Sequence, residues 1–150
     1  MFKKKTLFPI LLSFFLFAPA INADDLLRPP IASNVQAYSS VQNVNVRTLR
    51  VGDRSENQAL VQVTGVDHDW NNVIQKMTVE KTFKDVRYSV TLNGKPFVAV
   101  ILNQGFGELH LPGEPTPQPI AFNSALASEA NAEHFLSAYL EQDAIPQPAQ

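Results

Sequence analysis

The sequence predicts an α+β domain, an antiparallel β-meander of about five or six strands packed with one C-terminal α-helix; a small β-barrel with a plugging helix is the alternative architecture. Three observations point there. Asn93 and Gly94, which both tolerate positive φ, stand between two β-rich runs at 86–92 and 95–102, the strongest short-range sign of a hairpin with a type I′ turn. Short runs of apolar and alternating residues recur upstream, separated by polar stretches. Residues 124–142 alone carry a sustained helical stripe.

The chain starts with a segment of a different kind. Lys3, Lys4 and Lys5 precede an apolar run of 11 residues, 7–17, and a small-residue stretch ending at Ala23, which reads as a signal peptide over 1–23, with cleavage after Ala20 as the alternative. The run is well short of the roughly 20 residues a membrane-spanning helix needs. The expectation is export, to the periplasm or the extracellular space, with no membrane insertion after signal removal. Loss of three lysines takes the net charge from −2 to about −5, which argues against nucleic acid and anionic membrane surfaces as partners. The chain contains no cysteine, so no disulfide supports the fold in an oxidising compartment.

Residues 24–41 include Pro29-Pro30 and show no period, which predicts a flexible or extended lead-in to a single domain at 42–143, followed by a disordered tail at 144–150. Within the domain, 43–51 places Val44, Val46 and Thr48 on one face, while Leu49 and Val51 change parity, as a bulge or a two-sided strand would. A polar loop at 52–58 leads to a strand at 59–66, with Gly65 a candidate bulge. The run 73–83 is β-branched enough to be a strand, although Trp70, Val73, Ile74 and Met77 also fit a helix capped by Asp69.

The Asn93-Gly94 turn sets the facing pairs: Leu92 with Lys95, Thr91 with Pro96, Val90 with Phe97, Tyr88 with Ala99 and Val86 with Ile101. The preceding strand then matches Phe83 to Val86, Val79 to Val90 and Met77 to Leu92, or slips by two residues with parity kept if its loop is longer. A short strand follows at 107–111. The prolines of 112–119 predict an extended strap. The helix, capped by Asn123 or Ser124, is expected to lay Phe135, Leu136, Tyr139 and Leu140 on the Val98, Val100 and Leu102 face.

The candidate chemistry is sparse. Asp67, Asp69 and Asn71 alternate as a calcium loop begins, but Asn72 stands where its glycine belongs and Thr78 where its glutamate belongs. The plainer reading of Asp67, His68, Asp69, Trp70, Asn71 and Asn72 is a solvated hairpin loop bonded to its own backbone, with Trp70 folded over the core edge; the functional reading makes the same loop a partner-binding surface with Trp70 as its aromatic anchor. Pro115 and Pro117 join it as contact residues on the strap. Glu108 and His110 project from one strand face and, with His68, are the candidate ligands of a zinc-type metal. No catalytic residue is assigned: no cysteine, nucleophile elbow or phosphate loop occurs. These readings suggest a non-enzymatic binding protein that recognises another protein or an envelope component. A metal-dependent hydrolase using His68, Glu108 and His110, and a subunit of an envelope assembly, are the alternatives.

Overall fold

The computed structural model describes residues 28–144, so the expected signal peptide at 1–23 and all but the first residue of the expected tail at 144–150 lie outside the described residues; Ala144 itself ends a helix. Among the described residues there are eight strands: β1 (Gln36–Ser39), β2 (Asn45–Val51), β3 (Gln58–Thr64), β4 (Ile74–Lys81), β5 (Val86–Leu92), β6 (Lys95–Asn103), β7 (Phe106–Leu109) and β8 (Gln118–Phe122). Each pairs antiparallel with its sequence neighbours, and β8 pairs back onto β1. The open sheet of five or six strands is therefore corrected to a closed barrel.

The two strands that close it come from segments that sequence patterning left unstructured. β1 lies in the expected lead-in, and its four residues are too few to show a period. β8 begins inside the proline strap: Pro119 pairs with Glu108 on one side, while β1 reaches only Ala121 and Phe122 on the other. The proline thus sits where one edge of β8 has no partner strand to miss its N–H.

Around the central hairpin the near pairs form as expected, with Asn93 at φ 50° and Gly94 at φ 75° in the turn. Beyond Val98 a bulge intervenes. Ser89 pairs with Val98 and Tyr88 with Val100, so the expected Tyr88–Ala99 and Val86–Ile101 pairs become Tyr88–Val100 and Val86–Leu102. The extra residue, Ala99, moves the inward face of β6 onto Val100 and Leu102, which explains why that strand reads as apolar on both faces.

β4 is a strand rather than a helix, and it takes the longer loop. Val79 meets Tyr88 and Lys81 meets Val86, two residues from the tighter register, with parity kept. The pairs Phe83–Val86, Val79–Val90 and Met77–Leu92 do not form. Residues 82–85 make the loop, closed by Thr82 N–H donating to the Asp85 carbonyl at 2.8 Å, and Phe83 is left in solvent at its tip. Gly65 is not a bulge, because the β2–β3 ladder runs unbroken to Thr64. Its φ of +82° turns the chain where an added Cβ would press on the Asn43 carbonyl.

Two apolar clusters hold the fold. The inner one draws on every side of the barrel, including Tyr38, Val46, Val61, Met77, Val100, Leu109 and Ile120. The outer one joins Val35, Leu49, Val51, Leu60 and Ile74 to Phe135 and Leu136. Its large aliphatic side chains contribute about 1.5–3 kcal/mol each on full burial.

The expected single helix is two. α1 (Ser124–Glu129) is capped by Asn123, whose Oδ1 accepts from Leu126 N–H at 3.1 Å. At Ala130 the backbone is extended, ψ 133°, and Asn131 Oδ1 then caps α2 (Ala132–Ala144) by accepting from His134 N–H at 2.9 Å.

α2 does not lie on the Val98, Val100 and Leu102 face, because Val100 and Leu102 are inside the barrel. It covers the outer wall of β2, β3 and β4, and the Gln142 amide bonds both Ile74 N–H and Ile74 C=O. The helix is thus outside, not a plug. The parity change in β2 follows: Val46 and Thr48 point in, Leu49 and Val51 point out beneath the helix. Elsewhere the wall carries Arg47, Gln62, Thr78, Glu80 and Arg87 outward. That alternation, apolar within and polar without, is the reverse of a membrane barrel. Among the described residues no helix is long and apolar enough to cross a membrane.

Candidate functional site

The strand order brings four strand connections to one end of the barrel and three, with the entry to β1 and the exit from β8, to the other. At one end lie residues 40–44, 65–73, 93–94 and 110–117, including all the loop and strap residues singled out from sequence. Trp70 is half-buried there. Its ring meets Phe97 edge-on at 5.9 Å and His68 at 5.7 Å, and it packs on the inner cluster. It is a stopper for the barrel interior rather than a free anchor. His68 Nδ1 accepts from Trp70 N–H at 3.1 Å, and its Nε2 donates to the Pro112 carbonyl at 3.0 Å, which fixes the neutral Nε2–H tautomer and ties the loop to the strap.

The other loop residues are similarly committed. Asn71 Oδ1 accepts from the backbone N–H groups of Gly65 at 2.9 Å and Val66 at 3.3 Å, so the third oxygen of the calcium pattern is taken. Asn72 turns the chain at φ 64° and its N–H donates to the Val63 carbonyl at 2.8 Å, while Asp67 and Asp69 are exposed. Pro115 is exposed; Pro117 borders a groove of about 380 Å³ beside Val41, which is 100% exposed.

Glu108 and His110 meet on the outer wall, with Oε2 and Nε2 3.1 Å apart. His68 does not join them, and among the described residues no group of three His, Asp or Glu side chains converges as a metal site. The zinc-type ligand set therefore stays a pair.

The opposite end, formed by residues 52–57, 82–85, 104–105 and 122–123 with the incoming 31–35, is built differently. The incoming segment is fixed by Ala32 N–H donating to Arg50 C=O and Gly52 N–H donating to Pro30 C=O, at 3.0 and 2.8 Å. Here the interior opens into a cavity of about 270 Å³. Its walls follow from inward parity: Thr48 on β2, Ala59 on β3, and Val79 on β4 opposite Tyr88 on β5. Val46 and Val61 continue the same two faces of β2 and β3 deeper into the core. Gln36 on β1 joins the wall beside its partner Thr48, and Asn34, Asn57, Arg50 and Arg54 complete the lining. The Thr48 hydroxyl and the Tyr88 phenol share the cavity wall; burial raises the phenol's pKa above the usual tyrosine value, and Thr48 opposes that rise. Burial likewise raises that of Tyr38, with proximity to Tyr88 adding to it.

Sequence reading missed this mouth. It also missed the exposed aromatics of the same end: Phe83 is 93% exposed, Phe106 69% and Phe122 44%. Phe106 lines an outer groove of about 550 Å³ with Ile101, Asn103, Asp85 and Glu108. The signal that could have found them was their position beside turns, since a large apolar residue at a turn has no core to enter. No known protein family, curated protein or solved structure matches this chain.

Proposed function

We propose that the chain is an exported, non-enzymatic binding protein, periplasmic or secreted, that recognises another protein or an envelope component through the phenylalanine-bearing end of its barrel. The observation that supports this most is the exposure of Phe83 and Phe106 at that end. Water-facing aromatic rings contribute nothing to the inner or outer core, and aromatic side chains are enriched in protein contacts. The closed barrel leaves no pair of free sheet edges, so recognition by strand addition has little to work with and side-chain contact is the remaining mode.

The test is capture from envelope extract by the tagged chain, comparing a Phe83→Ser/Phe106→Ser double variant with Val41→Ser at the other end. All three positions are exposed, so folding is expected to change by no more than about 0.5 kcal/mol each. Capture lost in the double variant and kept in Val41→Ser supports the reading. Undiminished capture by the double variant overturns it, and loss in Val41→Ser alone moves the contact to the groove beside Pro117.

A further inference from the structure

We infer that the mouth between Arg50, Arg54 and Tyr88 is a binding site for a small organic carboxylate, with the charged group at the rim and an apolar body inside the barrel. This goes beyond recognition of a macromolecular partner and stands on different residues.

Charge is the first argument. Among the described residues, two guanidinium groups line the cavity and no carboxylate does. Neither Arg50 nor Arg54 is in an ion pair among those residues. The acidic side chains nearest in sequence, Asp53 and Glu56, do not line the cavity and pair with neither arginine; Glu56 Oε2 accepts from Asp53 N–H at 3.0 Å in the capping box of the short 3₁₀ turn Arg54–Glu56. Arg50 Nη1 donates to the Gly52 carbonyl at 3.2 Å, which holds the guanidinium at the rim and leaves its other N–H groups for a ligand. A planar fork of donors fits a carboxylate in two-point contact.

Shape is the second. Beneath the arginines the wall changes to Ala59, Val79 and the Tyr88 ring, with Gln36, the Thr48 hydroxyl and the Tyr88 phenol as its polar points. A bare inorganic anion would leave that apolar surface uncovered. A cavity of about 270 Å³ falls just below the roughly 300–1,000 Å³ typical of drug-sized ligands, so the body is the size of one aromatic ring or a short alkyl chain. A phenol is neutral well below its ordinary pKa of about 10 and burial raises that of Tyr88 further, so the wall adds no negative charge to oppose the ligand.

The probes are benzoate and hexanoate, with benzamide as the uncharged counterpart of benzoate and inorganic phosphate as the bare anion. They are titrated into the chain by calorimetry and amide NMR. Saturable binding of the two acids is expected, with shifts at Thr48 and Tyr88 and none at Asp69 and Trp70. Arg54→Gln is expected to weaken benzoate roughly tenfold, the value of one charge-assisted hydrogen bond. Arg50→Gln is expected to do the same. Because Arg50 also supports Gly52, Arg54→Gln carries the test if Arg50→Gln lowers the Tm. No saturable binding of either acid up to about 10 mM overturns the inference, as does benzamide or phosphate matching benzoate, or Arg54→Gln binding benzoate as tightly as the parent chain.

Discussion

At one end of the barrel the inner column of side chains stops against Trp70, held by Phe97 and by the loop that carries it; at the other it ends at Thr48 and Tyr88 with two arginines above them. The first arrangement uses its polar groups internally: His68 on Trp70 and Pro112, Asn71 on Gly65 and Val66. The second leaves guanidinium groups without carboxylates and phenylalanines without a core. Polar residues and an aromatic ring near a loop tip therefore have opposite meanings at the two ends. Satisfied internally they are structure, and unsatisfied they are capacity to bind.

The sharpest way to break this contrast is truncation of the stopper. Trp70→Ala is expected to cost about 2–4 kcal/mol, below or within the range for large aromatic truncation because the ring is half-buried. Arg54→Ala at the other end is expected to change stability by less than about 0.5 kcal/mol. Urea unfolding of the two variants measures both. Equal losses would mean that the arginine end is as structural as the tryptophan end.

A smaller effect is expected at Asn71. Its side-chain oxygen serves two backbone donors, so Asn71→Ala leaves them to water in an exposed loop and costs about 1–2 kcal/mol, as loss of a capping residue does. An Asn71→Asp variant, which keeps the acceptor, is expected to recover most of that loss. If both variants unfold at the parent's urea midpoint, the loop at this end is held by Trp70 alone.

How far sequence reaches differs between the ends for the same reason. The Asn93-Gly94 turn is legible because the two residues state their own backbone requirement, and the parity of β4 and β5 is legible because alternation survives a slip of two. The bulge at Ala99 is hidden because β6 is apolar on both faces, so no residue marks where the inward side changes. The extended backbone at Ala130 ends one helix and Asn131 caps the next, yet the apolar spacing runs through both and suggests a single helix. Trp70 lies among polar neighbours and allows two readings, folded over the core edge or exposed as an anchor; the fold brings Phe97 against it and supports the first. Likewise Arg50, Arg54 and Tyr88 are ordinary residues in their own segments, and they converge only because β1 and β8, the two strands without a period, complete the ring.

The mildest test of the contrast is alkaline. Burial raises the pKa of Tyr88 and Tyr38 above that of a free phenol. Below about pH 10 both groups are protonated, folded and unfolded, and the stability they contribute is intact. As pH rises past that point the unfolded chain loses its phenolic protons first, so stability falls until the folded pKa is passed. Tyr88→Phe is expected to cost no more than about 1 kcal/mol at neutral pH, since it removes one polar group that interacts with Thr48, and to flatten the alkaline decline. Trp70→Ala, at the end away from Tyr88, is expected to keep more of the parent's slope than Tyr88→Phe does while starting lower. Urea midpoints taken between neutral pH and about pH 11 separate the two behaviours. An alkaline slope unchanged by Tyr88→Phe would mean that water reaches the phenol freely in the folded chain, and the mouth would then lack the apolar interior on which a carboxylate's body has to rest.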